Sequence, residues 1–307
     1  MKQITDTVLM ISPTQFGFND QTAESNSFQN KSLAISPEEI QNLASREFHS
    51  FVNTMKSNGI EVIEFQDQQA SLSPDSIFPN NWFSTHSNGK IISYPMLTEN
   101  RRSERRKDIL DHLIEDYNYE HIALEYLEKN VPPQILEGTG SMVLDRVNKI
   151  IYAVNSRRTD IFALEEFAKL LGYTICSFNA YGSDGQAIYH TNVLMCMGED
   201  FVVIGMDNID PNDKNLVLES FQKTNKALIP LKDFQVNLCF AGNMLQLRNK
   251  DKERILLMSQ SAYSSLDPLQ ISELMKYNEK LLPISIPTIE LFGGGSVRCM
   301  MAEIFSK

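Results

Sequence analysis

Cysteine is scarce and unpaired in this chain of 307 residues: there are four, Cys176, Cys196, Cys239 and Cys299, and no two form a CxxC pair. That spacing excludes a zinc knuckle and a dithiol redox site. Long apolar runs are also missing, which excludes a transmembrane helix and makes a membrane partner unexpected. The N-terminal stretch "MKQITDTVLMISP" has neither a long apolar core nor a small-residue cleavage site, so the expected location is cytoplasmic. Basic residues are outnumbered, 28 Lys and Arg against 39 Asp and Glu, for a net charge of −11. Such a chain repels phosphate backbones, and nucleic acid is not an expected partner. The one basic cluster, "NRRSERRKD" at residues 100–108, carries its own carboxylates and reads as a solvated helix start.

What is present is an ordinary globular composition, 42% hydrophobic and 22% charged, with material for a sizeable core. Three cysteines lie inside apolar runs, Cys176 in "YTICSF", Cys196 in "VLMCM" and Cys239 in "VNLCF", and read as buried small hydrophobes. Cys299 differs, because it follows three glycines and an arginine in "LFGGGSVRCMMAEIF".

The clearest helix runs from Pro37 to about Asn58, with Ser36 as N-cap, Glu39 completing a capping box and Gly59 as its stop. Ile40, Leu43, Ala44, Phe48, Phe51, Val52 and Met55 form its apolar stripe, and the strand-like "IEVIEF" follows. The same order recurs. A charged helix over residues 101–116 precedes "YEHIALEYL"; "TDIFALEEFAKLLG" precedes "YTICSF"; "PNDKNLVLESFQKTN" precedes "KALIPL"; "DPLQISELMKYNEK" precedes "LLPISIPTIEL". Five helix-then-strand units result, an α/β organisation.

After the strands come loops rich in polar residues or glycine: "FPNNWF", "LEGTGS", "YHTN", "AGNM" and "GGGSVRC". One residue from each, Asn81, Glu137, His190, Asn243 and Cys299, follow one another at separations of 56, 53, 53 and 56. Near-constant spacing is the mark of an internal structural repeat. Five such units around an axis bring a cysteine, a histidine and a glutamate together on loops.

Taken singly, each of the three has a plain structural use: Cys299 facing the core of a last strand, His190 as a hydrogen-bonded strand-end residue, Glu137 as a turn carboxylate. Together they form a reactive set. A thiolate is the nucleophile, and with an ordinary pKa near 8.5 it needs positive charge or a polarised substrate beside it. Arg298 and His190 are candidate sources of that charge. A histidine there protonates a leaving amine and then activates water, and a glutamate grips N–H groups or shuttles protons.

At these residues the chain resembles the guanidine-modifying superfamily, the pentein fold, which includes arginine deiminases, dimethylarginine hydrolases and amidinotransferases. "GGGSVRCM" resembles the nucleophile loop of that superfamily, "EGTG" is similar to its Glu-Gly-Gly-Asp motif, and "HTN" to its His-Leu-Asp. The resemblance spans nearly the whole chain. It implies a five-bladed α/β propeller of ββαβ units forming a single domain over residues 1–307, with Cys299, His190 and Glu137 as catalytic residues. "VNSRRTD" and "PMLTENRRSERR" resemble segments whose arginines bind an amino-acid carboxylate, implicating Arg158 and either Arg101 or Arg102.

The departures from the family pattern carry as much information. Two aspartates that hold a guanidinium in the family's deiminases are replaced by Asn81 and Asn192, and Gly140 stands where the glycine motif ends in aspartate. A guanidinium calls for carboxylates in bidentate geometry, whereas an uncharged ureido group suits asparagine, which both donates and accepts. "NNWFSTH" and "LEGTGSMVLDR" make the chain most similar to the citrulline utilization hydrolases. The resemblance therefore implies hydrolysis of a small amino-acid substrate, citrulline, through an S-carbamoyl Cys299, with no metal or cofactor. An arginine, agmatine or methylated-arginine hydrolase, an amidinotransferase, and a non-catalytic binding protein on the same fold remain as rivals. A homodimer is compatible with the sequence. The polar stretch "NDQTAESNSFQNKSLA" at residues 19–34 reads as either a lid or a surface loop.

Overall fold

The structure, a computed structural model, describes residues 2–26, 28–30, 35–68 and 73–306. Fifteen strands lie in five sheets of three among these residues. In chain order they are β1 (Thr7–Ser12), β2 (Glu61–Gln66), β3 (Phe83–His86), β4 (Lys90–Ser93), β5 (Glu120–Ala123), β6 (Val143–Asp145), β7 (Ile150–Val154), β8 (Thr174–Phe178), β9 (Met195–Met197), β10 (Phe201–Ile204), β11 (Ala227–Pro230), β12 (Leu245–Arg248), β13 (Arg254–Ser259), β14 (Lys280–Ile284) and β15 (Ala302–Ile304).

Every sheet repeats one plan. A first strand pairs antiparallel with a second, and the chain crosses through helix to a third that runs parallel to the second. β3–β4–β5, β6–β7–β8, β9–β10–β11 and β12–β13–β14 follow it in sequence. The fifth sheet takes its strands from both ends of the chain. β15 pairs antiparallel with β1, Thr7 opposite Ile304, and β1 runs parallel to β2 after the helix Pro37–Ser57. The chain is closed on itself by backbone hydrogen bonds, and the last nine residues cannot be separated from the first twelve without opening that sheet.

The helix Pro37–Ser57 forms where its sequence predicts, with one half of the expected capping box and with Leu43 of the expected stripe only partly buried. The Ser36 side chain accepts from the Glu39 N–H, Pro37 occupies the first turn, and Ile40, Ala44, Phe48, Phe51, Val52 and Met55 turn inward. They pack with Leu257, Ile284, Ile289 and the segment Val297–Met300, so this helix supports the strand that follows Cys299. Two readings need correction. The charged helix expected over residues 101–116 is two pieces, Glu99–Arg102 and Lys107–Tyr117, because the intervening turn lets Arg101 bury its guanidinium against Glu104. Cys239 is only half-buried, because "VNLCF" ends the helix Asp233–Cys239, whose Leu238 is 76% exposed, and is not a core strand.

Residues 27 and 31–34 of the polar stretch lie outside the described residues; the rest of it packs beside Asp75, Arg158 and Gly293 through Asn19, Ser25 and Asn26. No helix among the described residues is long and apolar enough to cross a membrane. Phe51→Ala, which hollows the contact between this helix and the fifth sheet, is expected to cost about 3–5 kcal/mol of stability, measured as a lowered urea midpoint at unchanged slope.

Candidate active site

Four of the five polar or glycine loops fold as short helical turns leading into the first strand of the next sheet. Pro79–Asn81 precedes β3, Gly138–Ser141 precedes β6, Thr191–Leu194 precedes β9 and Val297–Met300 precedes β15. Residues 241–243 make the equivalent turn before β12. The repeat therefore delivers one turn per unit to the same place, and a single pocket is lined by Asn81, Arg101, Arg158, His190 and Cys299 together with Asp75.

Glu137 is the hub of this pocket. It is fully buried, and its Oε1 accepts the Leu97 N–H at 3.1 Å. Its Oε2 accepts from His190 Nε2 at 2.9 Å and from Arg158 at 3.3 Å, and Arg101 stands 3.6 Å away. Burial works against the charge. Arg158, the His190 hydrogen bond and Arg101 outweigh it and hold the carboxyl well below the usual carboxylate range. An ionised Glu137 can only accept, so Nε2 of His190 carries its proton and Nδ1 is left as the free base. Burial pulls His190 down to about 4 despite the pull of Glu137, which keeps the resting imidazole neutral. The ring lies against Tyr189, 4.7 Å between centroids, and the Tyr189 hydroxyl donates to the Gly294 carbonyl at 2.5 Å. The histidine and the triple-glycine loop are thereby tied together.

Gly140, the departure from the family motif, has a steric reason here. A Cβ at that position would lie 2.4 Å from Asn81 Nδ2 and 2.8 Å from His190 Nδ1. The glycine lets two active-site groups approach its backbone. In the triple-glycine loop, Gly294 has φ of +59° and ends the helix Pro287–Gly293. That stop turns the chain toward Cys299.

Cys299 is buried. Its sulfur receives Nδ2 of Asn243 at 3.2 Å and Nδ2 of Asn192 at 3.5 Å. Burial pushes the thiol above its ordinary value, opposed by hydrogen bonds from the Ser296 turn and Asn243 and by the charge of Arg298. The resting state is therefore a thiol and a neutral imidazole lining one pocket.

Asn81 gives its Oδ1 to Arg101 at 3.0 Å. A guanidinium only donates, so the amide orientation is settled and Nδ2 of Asn81 is turned away from it. That Nδ2 is buried without a partner, as is Oδ1 of Asn192. Arg101 is also held by both oxygens of Glu104, at 2.8 and 2.9 Å. Arg102 takes the other side of its helix, donates to the Met96 carbonyl and pairs with Glu128, away from the pocket. Arg158 lies over Tyr189 and donates to Ser25. Asp75 and Glu104 are buried acids that sequence reasoning missed; Asp75 sits only six residues before Asn81, in the same "SPDSIFPNN" segment. Asp75 accepts from Asn19 at 2.8 Å and lines the pocket. Among the described residues no group of three or more His, Cys, Asp or Glu is spaced to hold a metal ion.

With this geometry in place, the family model described as N,N dimethylarginine dimethylhydrolase, eukaryotic, matches residues 12–306. The chain belongs to this family. It is a member of the pentein guanidine-modifying superfamily and homologous to its hydrolases. No curated protein matches it. Solved structures share its fold at low identity. The N-terminal domain of ArgZ, an arginine dihydrolase from the ornithine–ammonia cycle in Cyanobacteria, solved as a cysteine-to-serine variant bound to substrate, is 15% identical with a TM-score of 0.75, over 98% of each chain. AgrE, bound to L-arginine, gives 15% and 0.75 over 98% of this chain and 40% of its own. A dimethylarginine dimethylaminohydrolase, as an adduct with S-methyl-L-thiocitrulline, gives 12% and 0.65 over 98% of this chain and 100% of its own.

Gly140→Ala forces Asn81 and His190 apart without touching the hydrophobic core. Its hydrolytic kcat/KM is expected to fall about 100-fold or more, with a melting temperature close to that of the parent; near-normal turnover would show that the close approach is unnecessary.

Proposed function

We propose that the protein hydrolyses the ureido group of citrulline to ornithine, carbon dioxide and ammonia, as a cytoplasmic enzyme whose five sheets are the blades of one α/β propeller domain spanning residues 1–307. The observation that carries the reading is the pair of unmet amide groups. Asn81 offers a buried donor and Asn192 a buried acceptor, at the two positions where the family pattern has aspartates. A ureido group supplies the complement, a carbonyl for the Nδ2 of Asn81 and an NH2 for the Oδ1 of Asn192. A guanidinium has N–H groups on every side and would set a donor against the donor of Asn81, a mismatch of the kind that leaves buried polar groups unpaired.

The charged groups of the pocket suit the other end of an amino acid. Arg158 and Arg101 attract the α-carboxylate, and Asp75 accepts from the α-ammonium. Chemistry then proceeds at the amide end. The thiol proton of Cys299 passes to Nδ1 of His190, and the sulfur attacks the ureido carbon. The imidazolium, steadied by Glu137, returns the proton to the δ-nitrogen as the C–N bond breaks. Ornithine leaves and an S-carbamoyl cysteine remains. Neutral His190 next takes a proton from water, which attacks the same carbon; the C–S bond breaks, the thiol is restored, and the carbamate decays to carbon dioxide and ammonia.

The fold shared with ArgZ, an arginine dihydrolase, and with AgrE, solved with L-arginine bound, favours one second reading: arginine as the first substrate, with two successive hydrolyses at this centre. Product ratios separate the two. Citrulline is expected to yield ornithine and ammonia one to one, with arginine at least about 100-fold poorer in kcat/KM. Asn81→Asp combined with Asn192→Asp should reverse that preference. Two ammonia per ornithine from arginine at a comparable rate would replace citrulline by arginine as the substrate.

The protonation states fix a pH profile. Thiol plus imidazole holds the same number of protons as thiolate plus imidazolium, so the active form persists between the two pKa values. His190, lowered to about 4, places the acid limb of kcat/KM there rather than near 6.5, and the raised Cys299 places the basic limb above the ordinary thiol value. An acid limb near 6.5, the ordinary imidazole value, would contradict the assignment.

A further inference from the structure

Four of the five turns supply groups to the chemistry above; the turn at residues 241–243 does not, yet its Asn243 is completely buried against the nucleophile. The orientation of this side chain is unambiguous. Its Oδ1 accepts the backbone N–H of Arg298 at 3.0 Å, and its Nδ2 donates to the backbone carbonyl of Asn192 at 2.8 Å. A backbone N–H only donates and a carbonyl only accepts, so the amide cannot be exchanged end for end. The remaining Nδ2 hydrogen serves the Cys299 sulfur, 3.2 Å away, and Nδ2 of Asn192 approaches the same sulfur at 3.5 Å. Arg298, the cation next in sequence, turns its guanidinium away, to the Met301 carbonyl and to Glu303, each at 2.8 Å.

We propose that Asn243 is a further catalytic residue: its N–H, together with that of Asn192, stabilises the Cys299 thiolate, so that the nucleophile forms beside a substrate that brings no positive charge. This deepens the reading of Cys299 as nucleophile and rests on it. A guanidinium substrate favours a neighbouring thiolate by its own charge; a ureido substrate cannot, and the protein must supply the stabilisation. Two neutral donors supply it without adding a cation that would compete for the pocket's carboxylates. The proton balance is closed: the hydrogen leaves sulfur for Nδ1 of His190, and the Nε2–H of that ring stays on the ring, donated to Glu137. Stabilising a thiolate blunts it, but each tenfold gain in its population lowers its intrinsic reactivity only about threefold, so the net effect favours reaction.

The test compares Asn243→Ala and Asn243→Asp. The aspartate keeps the shape and still accepts from Arg298, but presents an oxygen to the sulfur in place of an N–H. Both leave in place the other ionisable groups facing the site, namely His190 with Glu137, Tyr189, Asp75, Arg101 and Arg158 in the pocket and the Arg298–Glu303 pair behind Cys299. The ionisation midpoint of Cys299 is read from thiolate ultraviolet absorbance, as the difference from the same protein carrying Cys299→Ala. A hydrogen bond to a charged group predicts a midpoint about one to two pH units higher in Asn243→Ala and higher again in Asn243→Asp. kcat for citrulline should fall about 10- to 100-fold with KM within about threefold, and the loss should shrink as pH rises. An unmoved midpoint in either variant, at a melting temperature near the parent's, would overturn the proposal and leave Asn243 a structural link between loops. The titration needs no substrate. Failure of the parent protein to turn over citrulline counts against the function proposed above and leaves this measurement intact.

Discussion

One buried carboxylate organises this molecule's working end. Glu137 is enclosed, ionised and surrounded by donors from several parts of the chain: the Leu97 N–H, Arg158, and His190 from the next unit, with Arg101 close by. An isolated charge at this depth would cost several kcal/mol, so the carboxylate is tolerable only while those partners stay in position. Each partner is in turn fixed elsewhere. Arg101 is gripped by Glu104, Arg158 by Ser25 and Tyr189, and His190 by its ring contact with Tyr189. The site's geometry is a consequence of satisfying one charge. The fold contributes by presenting an equivalent turn from each of five sheets.

The pocket is divided electrically. Toward one end stand Asp75, Arg101 and Arg158, ionisable side chains suited to the charged termini of an amino acid. Asn192 and Asn243 turn amides to the sulfur, and Asn81 joins the two parts, lining the same pocket with its Oδ1 on Arg101. The division has a physical logic. A carboxylate buried against an uncharged head group would be an unpaired ion, whereas an amide there needs only hydrogen bonds. On the reading proposed above, the amide end discriminates by matching donors and acceptors, and the charged end holds the amino acid in register.

Much of this was legible in the sequence, for reasons that differ by residue. The spacing of Asn81, Glu137, His190, Asn243 and Cys299 reflects a unit length set by one helix and three strands, so the five-part plan is written in the chain's rhythm. The stripe on Pro37–Ser57 was equally plain, because burial selects apolar residues at helical spacing. Arg101 and Arg102 could not be separated on the same basis. Neighbours on a helix point about 100° apart, and only the direction of the pocket decides which enters it. Nor could the pairing of β15 with β1 be read, since nothing in either strand records a partner almost three hundred residues away. Cys239 was misjudged because a short apolar run looks alike in a strand and at the end of an amphipathic helix. Asp75 and Glu104 carried no motif; their signal was only proximity, one to Asn81 and the other to Arg101.

The glycine loop that makes the cysteine conspicuous answers a narrower need than freedom of movement. Gly294 adopts the left-handed conformation that stops a helix, and its carbonyl then receives the Tyr189 hydroxyl. The turn after it delivers Cys299 to a place where burial raises the thiol and amide donors oppose the rise. A sulfur so placed is held protonated at rest, and it shares its pocket with the free nitrogen of a histidine that Glu137 has already oriented. On the reading proposed above, reactivity does not come from a permanently charged nucleophile. It comes from a proton transferred within a pocket whose net charge does not change, which is the condition under which a neutral head group can be attacked without first being made a cation.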